Sequence, residues 1–375
     1  MSSSTNPTDY LSKIKNMDQS FVTYIIFTFI FIILIFLIVY IIKLTKLDNE
    51  ECDYMNTLYP SLDGNIRPIS ANDPDCSGCL YDYYIKTAYN ACSGGSYKND
   101  FVNICNLKAI IKQGVRCLDF EIYSVDDKPV VATSTQDSNY VKETFNSVSF
   151  ADVMKTINGY AFAGGTCPNP TDPIIIHLRI KSNNQRIYSK MAAIFKSYDS
   201  AMLGKDYSFE SNGTNLGTTP LLNFQNKIIV IVDKINNAFL ENKKFLEYVN
   251  LTSNSIFMRA YDYYNVKNNP DTNELKVYNM KNMTIVFPDK GSNPSNPNGI
   301  ICREYGCQMV AMRYQYVDNF LEENALFFDR TGYAFALKPQ ALRFVAVTIP
   351  DPTPQNPNYS YATRNVSSDY YSFNT

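Results

Sequence analysis

The spacing of hydrophobic and polar residues changes along the chain, and these changes predict where its helices and strands lie. Residues 21–42, FVTYIIFTFIFIILIFLIVYII, contain no charged side chain. At 1.5 Å per residue the run is about 33 Å long, enough to cross the hydrocarbon core of a bilayer. A cleaved signal peptide is the competing interpretation, but its apolar region spans about 7–15 residues and is followed by small residues. Here Lys43 and Lys46 follow, so the pattern predicts one transmembrane helix.

Beyond residue 75, short apolar runs alternate with helical periods. The runs predict strands at 116–123, 128–133, 173–180, 226–234, 255–260, 283–288, 306–315 and 333–339, and the helical periods cover 100–114, 149–162, 184–198 and 236–248. Continuous apolar strands between helices are typical of a parallel sheet covered on both faces. We therefore expect an α/β fold, a TIM (β/α)8-like barrel preceded by one N-terminal transmembrane helix. A doubly wound sheet is the alternative, but no Gly-rich phosphate loop follows the first predicted strand.

We expect a single-pass membrane protein whose residues 21–42 contact the lipid bilayer, which is therefore its first expected partner. Lysines flank this segment on both sides, so the positive-inside rule does not orient it and the side of the membrane stays open. The predicted parts are an N-terminal tail (1–20), the transmembrane helix (21–43), a stalk (44–75), the barrel (76–345) and a C-terminal tail (346–375).

The amino-acid composition excludes two classes of function. The chain has 34 Lys and Arg against 36 Asp and Glu, so it lacks the basic footprint of a nucleic-acid-binding protein. Trp is absent while Asn, Ile and Tyr are abundant, which indicates an AT-rich genome. A large DNA virus would suit this usage, and the partners would then include other membrane or capsid proteins of a virion membrane. His177 is the one histidine, which excludes any chemistry that needs two imidazoles.

The nine cysteines all follow the predicted transmembrane helix and leave three interpretations open. The CSGC segment, residues 76–79, together with Cys302 and Cys307 could form a four-cysteine zinc site. Disulfides in an oxidising compartment are a second interpretation. Free buried thiols are the third.

Two carboxylates lie on one face of the strand at 116–123. Period two separates Asp119 and Glu121 from the apolar Leu118, Phe120 and Ile122. The same period puts His177 and Arg179 on one face of the strand at 173–180. If the apolar faces meet the helices, these four polar side chains share the barrel interior, towards the strand ends where TIM-barrel active sites lie.

The segments GVRCLDFEIYS, DPIIIHLRI, GCQMVAMRYQ and TGYAFALKP resemble, in this order, the X and Y regions of eukaryotic phosphoinositide-specific phospholipase C. The resemblance covers about residues 80 to 340 and implies a TIM barrel. It also implies a phosphodiesterase that uses two histidines as acid–base groups and a calcium ion that activates the attacking hydroxyl.

The residues at the matching positions depart from that pattern. The two catalytic histidine positions hold Tyr89 and Thr133, and the resemblance aligns Arg179 with the last calcium carboxylate. Asn90, Asp119 and Glu121 match the other calcium ligands. Further matches concern substrate binding: Ser295 and Asn296 correspond to the family's Ser-Asn, whereas Ile231 and Asp233 stand where the family has lysines for the headgroup.

Three interpretations of Asp119, Glu121 and Arg179 stay open: a buried ionic network, a surviving calcium site, or an altered catalytic centre with His177 as its residual acid–base group. Loss of one acid–base group lowers a rate about 10²–10⁴-fold, and both family histidines are replaced. The sequence therefore predicts a catalytically inactive pseudoenzyme with a structural or binding role at a membrane, without a cofactor because the family's calcium ligand is lost. The alternative is a divergent phosphodiesterase that acts on phosphoinositides.

Overall fold

Eight parallel strands form a nearly closed barrel. The computed structural model describes residues 19–136, 140–208, 215–345, 351–354 and 362–375. The strands are β1 (Tyr83–Ala88), β2 (Cys117–Val125), β3 (Lys128–Ala132), β4 (Val148–Ser149), β5 (Ile174–Ile180), β6 (Ile228–Asp233), β7 (Leu251–Ser253), β8 (Met258–Asp262), β9 (Met283–Phe287), β10 (Met309–Met312), β11 (Phe335–Leu337), β12 (Asn365–Ser367) and β13 (Ser372–Asn374). The barrel order is β7-β6-β5-β2-β1-β10-β9-β8, and β7 and β8 flank the open seam. Strands β3 and β11 pair antiparallel with β2 and β1.

One long helix precedes the barrel, and shorter helices cover its outside. They are α1 (Gln19–Leu58), α2 (Ile104–Lys112), α3 (Phe150–Tyr160), α4 (Gln185–Lys196), α5 (Lys243–Leu246), α6 (Tyr263–Lys267), α7 (Thr272–Lys281), α8 (Gly299–Glu304) and α9 (Asn319–Thr331). Asparagine and aspartate side chains cap several helix starts by accepting a backbone N–H, as Asn184 does for α4 and Asp318 does for α9.

The alternation along each strand divides the core into an inner and an outer layer. On β5, Ile176 and Leu178 pack in the cluster that contains the helix residues Ile187 and Met191. Ile175, one position earlier, packs in the cluster that fills the barrel interior. Burial of each such aliphatic side chain stabilises the fold by about 1.5–3 kcal/mol. The two-layered core is why both faces of the long strands are apolar.

The barrel prediction is confirmed, and the doubly wound alternative is wrong because the strand order curves round to a single seam. The helix predicted at 236–248 is shorter than expected. It consists of a 3₁₀ turn, Asn237–Glu241, followed by α5. The side chain of Asn242 separates the two by accepting the backbone N–H of Phe245, 3.1 Å away.

Helix α1 contains the predicted transmembrane segment and extends beyond it. Its apolar side chains from Tyr24 to Ile42 are exposed, and α1 is long and apolar enough to cross a membrane, although a signal sequence passes the same test. Residues 44–58, within the segment predicted as a stalk, continue the same helix. Residues 1–18 of the predicted N-terminal tail lie outside the described residues.

The C-terminal end of α1 is covalently joined to the barrel. Cys52 on α1 forms a disulfide with Cys105 on α2, and Met55 one turn later is fully buried. The other seven cysteines are free thiols, which include Cys76, Cys79, Cys302 and Cys307 of the hypothetical zinc site. Within the described ranges no group of three or more His, Cys, Asp or Glu side chains could hold a metal ion.

Residues Phe344–Thr375 form a separate unit. Its described part contains the antiparallel hairpin of β12 and β13, in which Asn365 pairs with Asn374 and Ser367 with Ser372. The side chains of both strands are exposed.

We expect the disulfide to stabilise the domain because it closes a long loop, with a sequence separation of 53 residues. Replacing both Cys52 and Cys105 by Ser should lower the free energy of unfolding by about 2–4 kcal/mol. Urea unfolding of the full chain in detergent, followed by circular dichroism without reductant, measures this. Cys79→Ser, at a half-buried free thiol, is the control, and an equal effect of both changes would contradict the prediction.

Candidate functional site

The pairing of β2 with β5 brings the polar residues of the two strands together. In this parallel register Asp119 lies opposite His177 and Glu121 lies opposite Arg179. All four side chains are buried. The shared interior face predicted from period two is therefore present.

Arg179 is the centre of this cluster. Its Nε donates to Asp119 Oδ1 at 3.0 Å and its Nη2 donates to Asp119 Oδ2 at 2.6 Å. Its Nη1 donates to Glu121 Oε1 at 2.7 Å, and Nη2 also donates to Asn90 Oδ1 at 3.0 Å. A planar guanidinium can serve two carboxylates at once, which an ammonium group cannot do with the same geometry.

The charges in this cluster fix one another's ionisation. Burial alone would raise the pKa of Asp119, but the charge of Arg179 and the hydrogen bonds from His177 and Arg179 hold that pKa below its ordinary value. Burial likewise opposes the charge of Arg179, yet Asp119, Tyr89 and Glu121 together raise its pKa above the ordinary value. Both groups are therefore ionised across the physiological range.

A hydrogen-bonded chain connects Asp119 to β7. Asp119 Oδ1 lies 2.8 Å from His177 Nδ1, and His177 Nε2 lies 2.8 Å from Ser253 Oγ. An acid, a histidine and a serine in this sequence are also the parts of a hydrolase triad. Here Ser253 is fully buried and does not line the neighbouring cavity, so a substrate does not reach its hydroxyl in this conformation.

The segment after β1 completes the cluster. Asn90 has a positive φ of 44°, a left-handed conformation that asparagine tolerates better than most residues. This turn points its backbone N–H at Asp119 Oδ2, 3.2 Å away. The rings of Tyr89 and Phe287 lie 4.7 Å and 5.1 Å from the Arg179 guanidinium carbon, so aromatic faces cover the cation.

Three other residues expected at the site have their hydrogen bonds outside this cluster or are exposed. Thr133 is buried and donates its hydroxyl to the carbonyl of Tyr97 at 3.1 Å. Ser295 is exposed, whereas Asn296 is buried and donates to the Tyr316 carbonyl at 2.9 Å. Neither Ser295 nor Asn296 lines the cavity beside Arg179.

The residues present do not fit a calcium ion. Asn90 Oδ1, both carboxyl oxygens of Asp119 and Glu121 Oε1 accept hydrogen bonds from Arg179. The other oxygen, Glu121 Oε2, accepts from the Tyr123 hydroxyl. Calcium requires about 6–8 oxygen ligands, and a guanidinium stands where the resemblance implies a carboxylate ligand. A cation placed here would also meet the positive charge of Arg179.

A cavity of about 110 Å³ opens beside Arg179 at the strand ends. It is lined by aromatic and polar side chains that include Tyr89, Tyr261, Phe287, Asp233, Asn254, Asp262 and Lys290. Burial, with the nearby charge of Asp289, raises the pKa of Asp262. Asp233 accepts the Asn254 amide at 2.7 Å. The cavity therefore presents two acidic side chains.

Sequence patterns did not reveal three partners of the cluster. One is Ser134, whose backbone N–H donates to Glu121 Oε2 at 3.0 Å. Tyr123 donates its hydroxyl to Glu121 Oε2 at 2.6 Å, and period two on β2 already put these residues on one face. Ser253 lies on β7, which has three residues and no apolar run long enough to predict it. Only the fold brings it to His177.

Two family models match the chain. Residues 77–234 match the X domain of phosphatidylinositol-specific phospholipase C, and residues 230–341 match its Y domain. The chain is also similar to the crystal structure of L. pealei PLC21, with a TM-score of 0.58 and 20% identity over 72% of this chain. The corresponding values for S. officinalis PLC21 are 0.56, 18% and 72%. The chain spans 38% of the length of either structure, and at these identities the similarity concerns the fold. No curated protein matches the chain.

We expect Arg179→Ala to destabilise the domain by about 3–5 kcal/mol, because it leaves Asp119 and Glu121 buried without a counter-charge. Arg186→Ala is the matched control. Arg186 also pairs with an aspartate, but its side chain is 75% exposed, so the loss should stay below about 1 kcal/mol. Urea unfolding at pH 7 distinguishes the two, and equal losses would contradict a buried ionic cluster.

Proposed function

The chain belongs to the phosphatidylinositol-specific phospholipase C family, and from this premise we propose that it is a membrane-anchored member without phosphodiesterase activity. Its role is structural or is the binding of a partner at a membrane. One observation carries the proposal: Arg179 occupies the space between Asn90, Asp119 and Glu121 with four hydrogen bonds. In the family these oxygens would hold calcium.

The missing acid–base groups support the same proposal. Tyr89 stands at the first family histidine, and burial raises its pKa far above neutrality, so it stays protonated. Thr133 stands at the second and donates to a carbonyl. A threonine hydroxyl does not titrate near neutral pH, and each lost acid–base group lowers the rate about 10²–10⁴-fold.

The cavity lining also opposes a phosphorylated headgroup. Asp233 stands where the resemblance implies a lysine, and the second acid of the lining, Asp262, lies 3.9 Å from the ammonium group of Lys290. Phosphate and carboxylates repel each other, and the charge of Arg179 is already compensated by Asp119 and Glu121. The cations of the lining, Arg179 and Lys290, therefore already have carboxylate partners, which disfavours the binding of a phosphate.

Helix α1 supports the membrane anchor. Its exposed apolar stretch would be in contact with lipid, and the barrel would then be held close to the bilayer surface by the end of the same helix. A viral origin and a virion membrane, with membrane or capsid proteins as partners, are hypotheses that rest on residue usage alone.

A divergent phosphodiesterase is the second candidate, and the Asp119–His177–Ser253 chain is the observation that favours it. In this case His177 would act as the base and Ser253 or a substrate hydroxyl as the nucleophile. The burial of Ser253 requires that the site open first, which makes this candidate the weaker one.

We expect the purified full chain to release no inositol phosphate from phosphatidylinositol vesicles, with or without calcium, because both acid–base groups and the calcium site are replaced. A radiolabelled headgroup assay measures the release. Calcium-stimulated release that Asp119→Asn abolishes would refute the proposal. Calcium-independent release that His177→Gln and Ser253→Ala both abolish would support the second candidate.

We also expect the full chain to stay in the membrane pellet after carbonate extraction, because α1 is its candidate span. A chain that begins at Asp48 lacks the apolar segment but keeps Cys52, so it should move to the supernatant. If both chains partition alike, α1 does not anchor the protein. A mature N-terminus near residue 45 would instead identify the segment as a signal peptide.

A further inference from the structure

The end of α1 places a buried acid against a second acid of the barrel. Glu51 on α1 is 7% exposed, and Asp100, which precedes α2, is 9% exposed. Neither carboxyl oxygen of Glu51 has a hydrogen-bond donor within the described residues. The Asp100 carboxyl lies within hydrogen-bonding reach of Glu51. Two carboxylates in contact away from water cannot both carry a charge without a large penalty.

The loop at Gly94 and Gly95 closes over these acids. A β-carbon on Gly94 would lie 2.6 Å from Glu51 Oε2. A β-carbon on Gly95 would lie 2.7 Å from Glu51 Oε1 and would collide with Asp100 Oδ2. The loop backbone therefore fills the space beside the Glu51 carboxyl, where a side chain that donates a hydrogen bond would have to lie.

The charges that face Glu51 are negative. Asp48, one turn earlier on α1, accepts the Asn103 amide at 3.2 Å. Helix α2 contributes Asn106 and the disulfide-bonded Cys105, which are uncharged, while its Lys108 lies over the Tyr160 ring. Lys98 of the loop pairs with Glu143 at 3.2 Å. Burial, followed by Asp100 and Asp48, raises the pKa of Glu51 to about 10.

The Asp100 carboxylate accepts the backbone N–H groups of Ser96 at 2.7 Å and Phe101 at 3.1 Å, whereas Glu51 has no such donor in the described part of the chain. We propose that Glu51 holds a proton where it docks against Asp100, and that this proton makes the docking of the end of α1 on the barrel dependent on pH. Docked Glu51 holds the proton, whereas undocked Glu51 returns to water and ionises near its ordinary pKa of 4.5. Because the docked pKa is the higher one, docking is strongest below pH 4.5 and weakens as the pH rises. The docking constant falls about tenfold per pH unit up to about pH 10.

Because of the disulfide, the proton affects only how firmly the end of α1 is held against the barrel. Cys52 follows Glu51 directly and stays bonded to Cys105 in both states. The proton therefore changes how rigidly α1 is held against the barrel and does not release it. Acidification stiffens the junction, and neutral pH loosens it. This inference concerns the junction and is independent of any activity at the barrel.

Hydrogen exchange of the full chain in lipid nanodiscs tests the proposal. After correction for intrinsic exchange, protection of the amides in 51–58 and 94–103 should fall about tenfold per unit between pH 5 and pH 8. Glu51→Gln has the shape of the protonated acid and can donate to Asp100. It should remove the slope and raise protection at pH 8 by up to about 10³-fold. Glu50→Gln, at an exposed position of the same helix, should keep the parent slope.

The same experiment can overturn the proposal. A flat profile in the parent chain, or a Glu51→Gln chain that gains no protection at pH 8, would show that no proton is linked to docking. If Glu51→Gln does not fold, Glu51→Met, which removes the acid and keeps a side chain of similar length, replaces it with the same expected loss of slope. If added calcium removes the slope in the parent and chelation restores it, a cation and not a proton bridges the two acids.

Discussion

Two carboxylates inside a barrel require a positive charge within hydrogen-bonding distance, and Arg179 provides it. The transfer of an ion from water to a protein interior is unfavourable by several kcal/mol, so Asp119 and Glu121 are tolerated only as part of a neutralised cluster. The same guanidinium reaches Asn90 after β1, while His177 extends the hydrogen bonds to Ser253 on β7. Four segments of the barrel are thereby held in one arrangement, and the chemistry of the site follows from the residue that neutralises it.

The sequence predicts this arrangement wherever the period of a strand decides the direction of its side chains. On β2 and β5, period two places Asp119, Glu121, His177 and Arg179 on one face, and the parallel register brings the two faces together. Strand β1 was not predicted because Lys86 interrupts its apolar pattern. That lysine is buried only because Asp63, distant in sequence, lies 2.9 Å from its Nζ. A strand whose buried lysine depends on a distant aspartate cannot be predicted from its own sequence pattern.

Other contacts could not be predicted because several residues of the same type could have formed them. Nine cysteines allow many pairings, and no spacing rule selects Cys52 and Cys105, which only the packing of α1 on α2 brings together. The acidic pair of Glu51 and Asp100 escapes sequence analysis for the same reason. Helix α9 differs, because Leu321 and Phe328 follow a helical period after the capping Asp318. Its signal was present in the sequence, although no helix was predicted there.

The disulfide between α1 and α2 also decides how the molecule carries mechanical load. Without it, a pull on α1 would pass along residues 59–82 to β1 before it reached the barrel. With it, the force leaves α1 at Cys52 and enters α2 at Cys105, and the connecting segment is bypassed. Covalent bonds therefore transmit tension from α1 to the outer helical layer, and β1 with the Asn90 turn behind it is shielded from that tension.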